Sequence, residues 1–409
     1  MQSLVLCFYF NSCHHFDSFS RVPSHPIRPK CSSLPHQRPI RNFNLLTPAL
    51  TSRRRVVLRA MEGAVIPQEG GFRTLMDYMG KDGADVADDM VVLFSHLQSA
   101  CKRIAALVAS PSNSVLGKQK GHGVAATGSI TGRDAAKPLD IISNDIIKSA
   151  LRSSGKVAVM ASEEDDSPVW LTKDGPYVVI FDPLDGSRNI DASIPTGTIF
   201  GIYNCLKELD DYLPIEEKAS LNVLQSGSRL LGAGYALYSS ATMLCISVGS
   251  GTHGFTLDRS TGEFVLTHPS IIIPSRGQIY SVNDARYFDW PEGLKKYIDT
   301  IRQGKGENPK KYSARYICSL VADFHRTLLY GGIAMNPRDH LRLVYEANLL
   351  SFLVEQAGGS GSDGKRRILE IQPAKLHQRL PLFLGSSADI SELEGYGDIQ
   401  QLVNPGYEV

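Results

Sequence analysis

Residues 177–191 read YVVIFDPLDGSRNID, and the interpretation of this stretch decides the fold. Tyr177 to Phe181 form a short apolar run rich in β-branched and aromatic side chains, the composition of a buried strand. Two carboxylates three residues apart, Asp182 and Asp185, follow with Pro183 between them, and then come Gly186, Ser187 and Arg188. Asp, Pro, Gly, Ser and Asn all favour turns, so a polar turn after a strand is one account of the run. The other is an elbow at a strand end that binds metal and holds a phosphate.

A second acidic pair sits in the same kind of place. VAVMAS at 157–162 has strand composition, and Glu163 and Glu164 follow it directly. If the two strands are neighbours in a sheet, four carboxylates converge. Their repulsion is relieved by hard divalent cations with oxygen ligands, and the Leu184 carbonyl can join the coordination. Gly186, Ser187 and the amides after them can form an anion nest where the chain turns. Metals beside a phosphate cradle point to transfer of a phosphoryl group to water, with polarised phosphoryl oxygens and an activated water.

Working outward, 84–109 carries an apolar stripe at helical spacing: Val86, Met90, Leu93, Phe94, Leu97, Cys101, Ile104 and Val108. FRTLMDYMG (72–80) is a shorter helical candidate, and LDIISNDIIKSALRS predicts a helix ending near Gly155. The Gly/Ser/Thr-rich segment at about 110–137 is too long for an idle connector and reads as a lid or a disordered loop. Strand patterns then dominate, in GTIFGIYN, ALYSSATMLCISVG, GFTLD and EFVLTH. Helices return from 291 on, in ICSLVADFHRTLLY and LRLVYEANLLSFLVEQAGG, alternating with the short strands GGIAMN and PLFLG. This predicts an α/β (α+β layered) sandwich with strands inside and helices outside, in two lobes divided near 265–280. The expected partition is a leader at 1–60, a lobe at 61–270 with the metal site and a lobe at 271–409 with the sugar and distal-phosphate site. GSGTHG (249–254) and GSGSDG (359–364) match a dinucleotide fingerprint, but neither lies between a strand and a helix. The first reads as a hairpin turn and the second as a helix cap followed by a loop.

Charge is unevenly placed. Nine of the 43 basic residues but only one of the 42 acidic ones, Asp17, fall in residues 1–60, so the remainder carries a net charge of −7. The leader's Ser, Pro, His and Arg content is that of an organellar transit peptide, with RRRVVLRA at 53–60 as the processing zone. The acidic body has no basic face for nucleic acid, and no uninterrupted apolar run approaches the ~18 residues of a membrane span. Cys101, Cys205, Cys245 and Cys318 stand apart without a CxxC pair, and read as reduced structural thiols.

VMASEED, FDPLDGS, GTIFGIY, GYALYSSATM, VADFHRTLLYGGI and LRLVYEAN together resemble the fructose-1,6-bisphosphatase family, within the lithium-sensitive sugar and inositol phosphatases. The likeness spans about 72–401, and with the leader it is similar to the plant chloroplast branch. It implies hydrolysis of the 1-phosphate of fructose 1,6-bisphosphate with two to three Mg²⁺ per subunit, Mn²⁺ substituting, in the chloroplast stroma. The metal ligands it implies are Glu163, Glu164, Asp182, the Leu184 carbonyl, Asp185 and Glu346. Asp140 would work with Glu164 to take the proton of the attacking water, and Asp134 would lie on a mobile loop that closes over the metals. Asp185, Gly186, Ser187 and Arg188 would meet the 1-phosphate side. Asn283, Arg315, Tyr316 and Arg342 would meet the sugar and 6-phosphate, with Arg315 reaching a neighbouring subunit of a homodimer or homotetramer.

Four positions depart from the family pattern: Arg188, Arg286, Asn336 and His340, where the family has serine, tyrosine, tyrosine and lysine. Arg188 either adds charge to the cradle or points outward with only its backbone in the turn. The changed distal grip leaves two alternatives: sedoheptulose 1,7-bisphosphate as substrate, or a catalytically weak regulatory paralogue. The stretch after GIYN holds one cysteine, Cys205, so no thioredoxin-type redox switch is expected. Weak inhibition by AMP is expected because KDGPYVV lacks the family's lysine before its tyrosine.

Overall fold

The computed structural model describes residues 72–80, 84–110, 137–209 and 212–401. The leader, Asp134 and almost all of the glycine-rich segment lie outside the described residues.

Thr74 opens the first helix, α1 (Leu75–Met79), with a capping box in which Asp77 returns a hydrogen bond to the Thr74 amide. The predicted stripe forms α2 (Asp88–Val108), and six of its eight apolar positions are buried while Val86 and Val108 pack at the edge. By length and composition α2 alone, among the described helices, could cross a bilayer, but its apolar face lies in the core. The second predicted helix is α3 (Pro138–Ser154), begun by proline in its first turn and ended by Gly155 in the left-handed region.

Eight strands follow: β1 (Val157–Ser162), β2 (Val169–Trp170), β3 (Tyr177–Asp185), β4 (Thr196–Asn204), β5 (Leu230–Tyr238), β6 (Thr242–Ser247), β7 (Thr252–Asp258) and β8 (Glu263–Ile271). A short helix, α4 (Ile215–Val223), lies between β4 and β5. They form one sheet in the order β2-β1-β3-β4-β5-β6-β7-β8, in which only β1 and β3 run parallel. A second sheet, ordered β10-β9-β11-β13-β12, is built from β9 (Ile279–Ser281), β10 (Ser313–Ala314), β11 (Ile333–Arg342), β12 (Ser360–Ser362) and β13 (Arg379–Gly385). Its helices are α5 (Glu292–Gln303), α6 (Leu320–Tyr330), α7 (Asn348–Gln356) and α8 (Ser387–Glu394).

The alternation along β3 sorts the layers. Tyr177, Val179 and Phe181 face α2 and α3, whereas Val178 and Ile180 face the core shared with α6 and α7. A third core lies beyond the second sheet, where Leu294, Tyr297 and Ile298 of α5 meet Phe383 and Leu393. The result is five layers, α/β/α/β/α: the layered α/β class is as expected, but α6 and α7 lie between the two sheets, where helices were expected only on the outside.

Two local expectations need correction. GSGTHG is the β6–β7 hairpin turn, with Gly249 and Gly251 at positive φ, as expected. GSGSDG, however, is more than a cap and loop: its Ser360–Ser362 pairs antiparallel with β13 as an edge strand, a pairing invisible in so short and polar a run. DPLD is not a turn either. Strand β3 continues to Asp185, and the turn comes one residue later, at Gly186.

Candidate active site

Three steps along β3, Asp182 to Asp185, match only two along β4, Ile199 to Gly197. The extra residue is a β-bulge, placed at Pro183, which has no amide to give the ladder. In a regular strand, residues three apart face opposite sides. The bulge cancels that, so Asp182 and Asp185 both face the layer of α6 and α7. Asp182 Oδ1 accepts from the Leu184 amide at 3.0 Å and the Thr198 hydroxyl donates to the Pro183 carbonyl at 2.8 Å, which fixes the bulge.

Neighbouring β1 delivers the second acidic pair. The Glu163 amide donates to the Phe181 carbonyl at 3.1 Å, extending the β1–β3 pairing by one residue. The turn beyond is pinned by Asp165, which accepts from Asn144 at 3.1 Å and pairs with Lys148 at 2.8 Å, both on α3. Glu163 therefore meets Asp182, and from the opposite side Glu346 arrives on a single π-turn, Leu343–Ala347, between β11 and α7. Carboxylate oxygens of Glu163, Asp182 and Glu346 lie within 4.8 Å of one another.

That crowding has an electrostatic cost. Burial first, then the charge of Glu163, holds Asp182 above the usual carboxylate range. Burial likewise pushes Asp185 up to about 7, although its Oδ2 accepts from the Val321 amide at the start of α6 at 3.0 Å. Glu346 is pushed up to about 8 by burial and the charge of Glu163. Glu164 stands exposed at the rim, yet desolvation and the charges of Asp140 and Glu163 push it up to about 7. Arg342 pairs with Glu163, and its amide donates to Glu346, so Arg342 stands at the carboxylate cluster. An all-oxygen, mostly buried set of crowded carboxyl groups, which a bound cation would hold ionised, fits a hard divalent cation.

Beside the cluster the chain turns through Gly186 at φ 75 into a 3₁₀ turn, Ser187–Ala192. The positive φ favours glycine, and a Cβ on Gly186 would lie 3.3 Å from Asn189 Nδ2 and 3.4 Å from Ser319 Oγ, a tight but adjustable fit. The Ser187 hydroxyl donates to Asp140 Oδ2 at 3.1 Å, and the Lys137 amide donates to the same oxygen at 2.7 Å. Asp140 Oδ1 is buried and makes no hydrogen bond, and burial raises the carboxyl's pKa. Its free oxygen is suited to accept a proton.

The remaining expected residues lie elsewhere. Arg188 is exposed on the 3₁₀ turn. Asn283 caps the 3₁₀ turn Asp284–Asp289 by accepting from the Ala285 amide at 3.2 Å, and Arg286 in that turn pairs with Asp289 at 3.1 Å. Arg315 and Tyr316 are exposed just beyond β10. Asn336 and His340 are half-buried at the irregular middle of β11. Sequence reasoning missed Lys137, whose Nζ donates to the Ser187 carbonyl at 3.3 Å, and Asn189, discussed below. Both sit among turn-forming residues, where only contacts distant in sequence mark them. Of the cysteines, Cys101 and Cys245 are buried thiols pushed up to about 12 by desolvation, whereas Cys318 is exposed.

Comparison with known proteins covers this whole region. The fructose-1-6-bisphosphatase N-terminal domain family matches residues 74–269, and the corresponding C-terminal domain family matches 273–398. The chloroplastic fructose-1,6-bisphosphatase of Brassica napus is 48% identical over 327 residues, covering 76% of this chain and 78% of that protein. Fructose-1,6-bisphosphatase 1, chloroplastic, of Arabidopsis thaliana is 47% identical over 328 residues, covering 76% and 77%. The crystal structure of Leishmania major fructose-1,6-bisphosphatase in holo form superposes with a TM-score of 0.72 at 38% identity, covering 80% of this chain and all of that one.

Proposed function

The chain belongs to the fructose-1,6-bisphosphatase family, and from that premise we propose that it hydrolyses the 1-phosphate of fructose 1,6-bisphosphate at the carboxylate cluster of β1, β3 and the π-turn. The observation that carries this is the meeting of Glu163, Asp182 and Glu346 within 4.8 Å beside the Gly186–Ser187 turn.

The family is metal-dependent, and Mg²⁺ is the cation proposed here, two to three per subunit with Mn²⁺ substituting. Glu163, Glu164, Asp182, the Leu184 carbonyl, Asp185 and Glu346 are the proposed ligands. Bound there, the cation supplies a Lewis acid for the phosphoryl oxygens and lowers the pKa of a water. The chain's own residues do the rest. Gly186 and Ser187 present the turn on which the 1-phosphate rests, and Asp185 is held in place by the α6 amide. Asp140, fixed by Ser187 and Lys137, keeps one oxygen free, and with Glu164 takes the proton of the attacking water. Asn283, Arg315, Tyr316 and Arg342 are proposed for the sugar and distal phosphate, Arg188 for the cradle, and Asp134 for a closing loop.

The relatives are named chloroplastic, which supports a plastid location; we place the protein in the stroma, behind a transit peptide of residues 1–60. The proposed lobes are 61–270 and 271–409, the proposed assembly a homodimer or homotetramer without nucleic-acid or membrane partners, and the proposed regulation one without an internal disulfide switch.

The test is phosphate release from fructose 1,6-bisphosphate with Mg²⁺, with sedoheptulose 1,7-bisphosphate as comparison. Asp185→Ala and Glu164→Ala are each expected to lower turnover at least ~100-fold, since cation and base positioning are lost together. Near-normal rates in both variants reject the mechanism. A strong preference for the seven-carbon substrate rejects the assignment of substrate.

A further inference from the structure

The proposed grips for the two phosphates lie on segments far apart in the chain, the Gly186–Ser187 turn and the stretch that carries Tyr316, whose neighbour Arg315 is proposed to reach the adjoining subunit's site. The side chain of Asn189 joins them. Asn189 Nδ2 donates to the Cys318 carbonyl at 2.7 Å, across 129 residues of sequence. The same nitrogen stands 3.3 Å from where a Cβ on Gly186 would sit, so the amide packs on the cradle glycine while it holds the other segment.

The far side of that segment is fastened too. Buried Asp323 accepts from the Ile317 amide at 3.1 Å and the Cys318 amide at 3.2 Å, and Arg326 donates to the Arg315 carbonyl at 2.9 Å. Both come from α6, whose first turn is itself tied to Asp185 through Val321. Cys318 adopts φ 67, a left-handed conformation rare for a residue with a Cβ, and it points the Cys318 amide to Asp323 and its carbonyl to Asn189. Residues 315–318 are thus fixed to the helix by Asp323 and Arg326, and tied to the cradle by Asn189.

We propose that Asn189 is a positioning residue that sets the span between the proximal and distal phosphate grips, and so favours a bisphosphate over a monophosphate. The inference rests on the functional reading above. Two grips act on one ligand together only when their separation matches its length, so a strut between them tunes affinity for the doubly charged substrate and leaves the chemistry at one phosphate untouched.

The test uses Asn189→Ala and Asn189→Asp, the second keeping the side chain's size while its ionised carboxylate cannot donate. Each is assayed on fructose 1,6-bisphosphate and on p-nitrophenyl phosphate, which has one phosphate and no sugar. For the bisphosphate, kcat/KM is expected to fall roughly five- to tenfold, mostly through KM, the scale of one lost hydrogen bond. For the aryl phosphate it stays within about twofold, and the melting temperature stays near wild type. Equal losses on both substrates would mean that Asn189 merely shapes the cradle, and overturn the proposal; so would no loss on either. Should Asn189→Ala fail to fold, the isosteric Asn189→Asp still decides. A wild-type protein inactive on the bisphosphate overturns the functional reading and this inference with it, whereas an active wild type matched by Asn189→Asp overturns the inference alone.

Discussion

Cys318 and Gly186 both have left-handed backbones, at φ 67 and φ 75, and Asn189 contacts both segments. Glycine bears that conformation without strain, whereas a residue with a Cβ loses roughly 1–2 kcal/mol in it. Cys318 is exposed, so its side chain gains little from packing in return. Strain persists where surrounding contacts over-determine the backbone, and here Asp323 and Asn189 hold both the amide and the carbonyl. Cys318→Gly keeps both hydrogen bonds, since they are made by the main chain. Relief of strain, less the roughly 0.5–1 kcal/mol that glycine loses through greater freedom in the unfolded chain, leaves a net gain of about 0.5–1 kcal/mol. A higher urea midpoint with an unchanged slope is the expected outcome. A lower midpoint would show that the sulfhydryl stabilises the fold after all. The sequence offers no hint of this residue's role, because nothing in a lone cysteine between Ile317 and Ser319 announces a left-handed backbone.

At the scale of elements, the site depends on where three strands and two helix starts meet, and β4 is their brace. Gly197 on β4 pairs with Asp185, and a Cβ there would lie 2.6 Å from the Ala236 carbonyl and 2.9 Å from Val321 Cγ1. Gly201, four residues along the same strand, would instead drive a Cβ to 2.2 Å from Leu349 Cδ2. Alanine at either position is expected to cost about 1–3 kcal/mol of stability through overpacking. Only Gly197→Ala displaces Val321, whose amide holds Asp185, so activity per folded molecule is expected to fall about tenfold or more there and to stay near wild type in Gly201→Ala. Equal activities in the two variants would separate α6 from the chemistry. The same elements show what could be read in advance. The strands, the long helices and the motif acids follow from apolar periodicity and local composition. That Asp182 and Asp185 share a face does not, because it depends on a bulge that the spacing of two acids leaves open. Glu346 was reached by resemblance alone, since LRLVYEANLLSF reads as one continuous helix with a surface acid. A π-turn in that run buries the carboxylate against β3.

Taken whole, the molecule concentrates titratable burden in one place. Asp185 and Glu164 at about 7 and Glu346 at about 8 keep protons in the folded state that they lose near pH 4 when unfolded. Between those limits the native state binds more protons, so the unfolding free energy of protein freed of divalent cations falls as pH rises, until the folded groups have themselves ionised. His325 acts the other way. Buried against Tyr235, it is pushed down to about 4, so its neutral form stabilises the fold above about pH 6.5 and that contribution is lost as pH falls. The carboxylates are therefore read cleanly from about pH 6.5 to 8.5. Over that window the melting temperature in a chelator is expected to decline. Mg²⁺ binding requires the carboxylates to give up their protons, so its affinity rises and the stabilisation it confers grows over the same range. Calorimetric titration near pH 7 in buffers of different ionisation enthalpy should show proton release on binding. A Mg²⁺-induced shift in melting temperature that is the same at pH 6.5 and 8.5, with no proton release, would mean that the cation binds away from these acids, and the cluster of Glu163, Asp182 and Glu346 would lose its assigned role.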